Sequence, residues 1–160
     1  MNGAHLHLLV NDVPILASLF AALFFAIALW MDPRDTWVRA GLILLGIASI
    51  GGLIAFLSGD PALAVIEGQQ HSSGRALSEH HVRATVAICV LGAAALAGVI
   101  AFVTSRTPGA SHSPGLITIL FVATLASALA MGWTGLAGGR INHPELQQPG
   151  DREGGPAHHH

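Results

Sequence analysis

Six of the ten histidines in this chain of 160 residues, His5, His7, His71, His80, His81 and His143, stand beside the ends of apolar stretches, with Glu67, Glu79 and Glu145 nearby. Imidazole is a strong ligand for transition metals and a common axial ligand of haem iron. Two chemistries suit the set. Two histidines on facing helices would clamp the iron of haem b inside a four-helix bundle, with small residues on the inner faces leaving room for the porphyrin. Imidazoles mixed with carboxylates would instead hold a divalent ion such as zinc, iron, manganese or copper, the glutamates ligating it or orienting the rings.

The elements that must position these residues are four uncharged segments at 13–31, 40–57, 84–104 and 115–136. At about 1.5 Å of rise per residue, each is long enough to cross a hydrocarbon core of roughly 30 Å. A chain that is 52% hydrophobic and 10% charged carries more apolar surface than one small soluble core could hide, which excludes an ordinary soluble domain. The expected fold class is therefore all-α, a transmembrane four-helix bundle running up-down-up-down. Residues 1–143 make the membrane domain, and 144–160 a flexible polar tail whose His158, His159 and His160 are set apart from the site.

This topology gathers the histidines. Spans one and three run one way and spans two and four the other, so the start of span one, the 58–83 connection and the end of span four share a face. His112 alone is expected at the opposite face. The first eleven residues lack a basic leader, so span one is expected to remain as an anchor. The opposite face carries Arg34, Arg39 and Arg106 on short connections, which favours a cytoplasmic position for it. The histidine face and both termini are then expected in the periplasm of a bacterial inner membrane.

Local signals refine the picture. Pro14 can open the first helix with Asn11 or Asp12 as its cap; alternatively the helix runs through Pro14 and aligns His7, Asn11, Pro14 and Ser18 on one face. Pro33, between two aspartates, ends span one, and Trp30 and Trp37 bracket the connection as interfacial aromatics do. Small residues such as Ala94 and Gly98, four apart, predict close helix packing. The 58–83 connection is long, with helical potential from Pro61 to Glu67 and from Ser73 to Arg83. Cys89, the single cysteine, is expected to be a small core residue without a disulfide. Ser78, Glu79 and His80 are contiguous and point in different directions on a helix, so they make no hydrolase triad. No basic patch suggests nucleic acid.

Four stretches in order give a resemblance. His7-Leu8-Leu9-Val10-Asn11-Asp12-Val13-Pro14, Ser58-Gly59-Asp60-Pro61-Ala62 followed by Glu67, the pair Glu79-His80, and Gly138-Gly139-Arg140-Ile141-Asn142-His143 resemble the motifs of a family of small four-span bacterial membrane proteins. Asp12 stands where that family's pattern has a second histidine, and His81 has no counterpart in it. Related four-span domains are sometimes joined to Rieske-type iron–sulfur domains, so the resemblance implies electron transfer.

The expected function is that of a small membrane cytochrome b. His7 and His80 are its expected axial ligands, His143 can substitute for either, and Asn11, Glu67 or Glu145 would fix the rings. The alternative is a non-haem metal site built from His7, His80, His143, Glu67 and Glu145, and a third reading is a cofactor-free structural subunit. The partners implied are membrane lipid, a quinone or periplasmic redox protein, and a second copy of the chain.

Overall fold

The computed structural model describes residues 10–67, 74–106 and 111–142, with side chains for 10–59, 78–106 and 111–139. They form four helices: α1 (Asp12–Trp30), α2 (Arg34–Glu67), α3 (Gly74–Thr104) and α4 (Pro114–Asn142). No strand occurs among the described residues. All four helices are long and apolar enough to cross a membrane, over Asp12–Trp30, Arg34–Gly59, Ser78–Thr104 and Pro114–Gly139. At 34 residues α2 measures about 51 Å, so it overruns the hydrocarbon core at one end, and α3, of 31 residues, does the same. Both overruns fall where the sequence showed helical potential in the long 58–83 connection.

The helix ends have local causes. Pro14 sits in the first turn of α1, where its missing N–H costs nothing. Asn11 has helical backbone angles and makes no side-chain cap bond, so the expected cap is not formed. The Met31 backbone turns extended, and Arg34 Nε donates to the carbonyl of Ala28 at 3.2 Å, satisfying one carbonyl that the end of α1 leaves open. α2 begins six residues before the uncharged stretch, because Pro33 opens a helix as readily as it closes one. In α4, Ser113 caps the helix by accepting from the Leu116 N–H at 3.2 Å, directly before Pro114.

α1 packs on α2 and α4, and α3 packs on α4 and, most loosely, on α2. α1 and α3 therefore stand on a diagonal. The interior is made of small residues with a few large ones inserted between them. Ala17, Ala21, Ala28, Ala48, Ala94 and Ala101 are buried, whereas Leu16, Leu19, Ile43, Leu96, Val99 and Leu129 point outward. Such an arrangement is stable only where the surroundings are themselves apolar, and close packing of small residues replaces the hydrophobic drive that lipid does not supply. Glycines make the seams: a Cβ on Gly52 would lie 2.5 Å from Leu91 Cδ2, and one on Gly98 would lie 2.9 Å from Leu45 Cδ2. Buried hydroxyls return to their own helices, as in Ser18 to the Pro14 carbonyl at 2.6 Å and Ser127 to the Ala123 carbonyl at 2.8 Å.

Two sequence expectations change. Cys89 is exposed on the outer surface rather than in the core, because Ala87, Leu91 and Ala94 define the inward stripe of α3 and position 89 lies on the other side. Trp30 is 88% exposed, as an interfacial anchor should be, but Trp37 stacks on Phe24 with ring centroids 5.8 Å apart and belongs to the bundle.

The topology has a direct test. In a Cys89→Ser background, cysteines placed at Asp12 and Ser78 should react with an impermeant maleimide from one side of the membrane, and cysteines at Asp32 and Ser111 only from the other. Labelling of all four from one side would contradict four crossings.

Candidate functional site at the histidine end

His80 is the seventh residue of α3 and lies near the start of its membrane-spanning part. Its half-buried ring faces α4, where Gly138 makes room for it. A Cβ on Gly138 would approach His80 Cε1 to 3.3 Å and Nδ1 to 3.5 Å, so a larger residue there would press on the imidazole. His81, the next residue, turns outward and is exposed, about 100° further round the helix.

The same turn of α3 reaches α4 through one arginine. Glu79 accepts from Arg83 at 3.3 Å, and the Arg83 guanidinium lies 4.5 Å from the centroid of the Trp133 ring. The Arg83–Trp133 contact crosses from α3 to α4 on the turn that follows His80, while the Glu79–Arg83 pair lies within α3 and holds the guanidinium. Glu79 is thus engaged with Arg83 one turn further along the helix. Across the bundle, α1 enters through Val13 and Pro14, which close on α2 where a Cβ at Gly51 would lie 3.0 Å from Val13 Cγ1. Asn11 is half-buried at this entrance. Pro14 and Ser18 are both buried, so this side of α1 points inward, and His7 lies outside the described residues.

Of the residues expected to form the site, His80 and Asn11 are brought to one end of the bundle on diagonal helices. Glu67 is the last residue of α2, at the same end, but its side chain lies outside the described residues. His5, His7, His71, His143 and Glu145 lie outside them too. Among the described residues, no group of three or more His, Cys, Asp or Glu gathers to hold a metal ion. A site at this end would draw its further ligands from those other positions. His143 directly follows Asn142, the last residue of α4, five residues beyond the Gly138 that seats His80.

A profile of the family described as "Predicted membrane protein (DUF2231)" matches residues 3–143. The chain belongs to this family. The match runs from the segment before α1 to the residue after α4, so the helices and all six histidines of the proposed cluster lie inside it. No curated protein and no solved structure was found to match the chain. Family membership and the four apolar helices establish a membrane protein.

The opposite end holds a pair that the sequence reading did not join. His112, only 6% exposed, brings Nδ1 to within 3.0 Å of Asp35 Oδ1. This contact ties the first turn of α2 to the segment that enters α4, across 77 positions of sequence. Nε2 of the same ring is buried without a hydrogen-bond partner among the described residues. The one signal in the sequence was that each of the two short connections carries a polar residue able to pair with one on the other.

Proposed function

We propose that the histidine end binds haem b and that the protein is a small electron carrier of the bacterial inner membrane. The observation that carries this reading is the His80 imidazole at the edge of the span, turned toward α4 where Gly138 leaves room for the ring, because an ionisable side chain at that depth calls for a partner or ligand. His7, before α1 on the diagonal, would supply the second axial nitrogen, with His143 its substitute. Asn11, Glu67 and Glu145 would orient the rings. When bound, the haem supplies a one-electron couple. The protein's own part is to set the two imidazoles, exclude water with the closed seam of α1–α2 and the close approach of α2 to α3 at Gly52 and Leu91, and expose one end to a quinone or a periplasmic redox partner. The arginines of the short connections favour the opposite face as the cytoplasmic one.

A non-haem divalent ion is the second reading, and one observation favours it. At the level of Gly52 the interior is filled by Leu91 and Met131, so a porphyrin must sit nearer the membrane surface, whereas a single ion bound by His80, His7, His143, Glu67 and Glu145 needs little space. The optical spectrum of the protein purified in detergent from haem-replete cells, oxidised and dithionite-reduced, tests both readings. A Soret band with sharpened α and β bands on reduction is the expected result. Its absence overturns the haem reading, and elemental analysis of the same sample then tests the metal.

A further inference from the structure

The loosest seam of the bundle, between α2 and α3, opens into a groove of about 700 Å³ at the end away from the histidine cluster. Its floor is built from Gly46, Ser49, Ala95 and Gly98. It spans positions 39–50 of α2 and 95–106 of α3, so it extends about 16 Å along the helices. Nothing lies within 4 Å of a Cβ on Gly46, so that part of the floor is open space. The groove is inside the apolar spans and faces outward, where acyl chains are the surrounding medium.

Its charged groups are confined to one end, and Ser49 on the floor donates to the Leu45 carbonyl of its own helix at 2.7 Å. Arg39 and Arg106 line that end together with Ser105, and both guanidiniums are exposed. Arg106 lies 4.5 Å from the centroid of the Phe102 ring, which holds its charge over the mouth of the groove. Among the described residues neither arginine has a carboxylate within ion-pair distance; the nearby Asp35 makes its close contact with His112. Arg39 also acts on the Asp35 carboxylate, which pairs with His112, and the groove still ends in two exposed cations against that one carboxylate, a charge pattern that suits an amphiphile with an anionic head.

We propose that this groove is a binding site for an anionic phospholipid, with one acyl chain along Gly46 and Gly98 and the headgroup phosphate between Arg39 and Arg106. Guanidinium groups present parallel N–H donors matched to phosphate oxygens, and each cation near an anionic headgroup strengthens binding. A zwitterionic lipid would place its own cation beside the arginines and lose that gain.

The test is native mass spectrometry of the full chain in detergent, incubated separately with phosphatidylglycerol and phosphatidylcholine. Phosphatidylglycerol should be retained on the order of tenfold more than phosphatidylcholine, and Arg39→Gln/Arg106→Gln should reduce it to the phosphatidylcholine level. Gly46→Leu, whose Cβ enters open space and whose side chain occupies the floor, should displace the lipid while α-helical content and thermal unfolding stay as in the wild type. Inorganic phosphate at equal concentration should not compete, because it gains nothing from the apolar floor. Equal retention of the two lipids, undiminished phosphatidylglycerol in the double arginine variant, or displacement by phosphate would each overturn the proposal. A dimer that dissociates in the Gly46→Leu variant while bound lipid stays unchanged would assign the groove to a second copy of the chain and overturn it equally.

Discussion

In the His80→Ala variant, the low-spin absorption spectrum expected of the wild-type protein should be lost or converted to a high-spin one, while His112→Ala should leave it unchanged. The asymmetry follows from placement. His80 stands at the end of the bundle to which α1 and the end of α4 also come, whereas His112 is engaged with Asp35 at the far end and, among the described residues, has no second histidine on its face. Loss of a spectrum could also follow from loss of folding, so the helix content of the variant must equal that of the wild type. Added imidazole should restore the spectrum by occupying the space that the side chain leaves. Gly138→Leu supplies an independent reading. It keeps His80 but places atoms from 3.3 Å of its ring inward, which should turn the imidazole and weaken the bound group without removing the ligand. If His80→Ala retains an unchanged Soret band, His80 is not an axial ligand. If Gly138→Leu alone is spectrally silent, the glycine does not set the ring.

How much of this could be read from the chain depends on which physical constraint acted on each residue. The four crossings were legible because a hydrocarbon core demands about 20 uninterrupted apolar residues, and no soluble fold of this size produces four such runs. The extensions of α2 to Glu67 and of α3 back to Gly74 lie outside lipid, where helix formation rests on weak local preferences, so only their potential could be seen. Which side of each helix faces in was the least legible property. Lipid is as apolar as the core, so outward Leu96 and inward Leu91 look alike in sequence, and Cys89 was accordingly placed on the wrong side. The small residues were a better guide than hydrophobicity, since Ala94 and Gly98 are both buried at helix contacts. His80 was legible as a candidate because an ionisable group at the edge of a span needs a reason to be there. Its seat on Gly138 was not, because that contact joins residues far apart on two helices whose rotation the sequence does not determine. The same holds for Asp35 and His112.

Gly41→Ala should destabilise the bundle strongly, although alanine is the better helix former. The Cβ it adds would lie 2.6 Å from Cε1 of Phe25 and 2.9 Å from both Cδ1 and Cζ, far inside van der Waals contact. Phe25 is fully buried, so its ring has nowhere to retreat without moving the α1–α2 seam. Overpacking of this kind typically costs about 1–3 kcal/mol, which exceeds the roughly 1 kcal/mol that replacing a mid-helix glycine by alanine returns. Gly92→Ala provides the control. No atom lies within 4 Å of a Cβ there, so only the helix-forming gain remains and the variant should be as stable as the wild type or slightly more so. Phe25→Leu alone should also destabilise, by leaving a void in the interior. Combined with Gly41→Ala it should cost less than the two changes added together, because the smaller side chain vacates the space that the new methyl needs. Thermal unfolding of the wild type, the two single variants at Gly41 and Phe25 and their double variant in one detergent measures the cycle. Additive losses would show that Gly41 and Phe25 do not pack against each other, and with that the account of the α1–α2 seam as a glycine opened for one aromatic ring would fail.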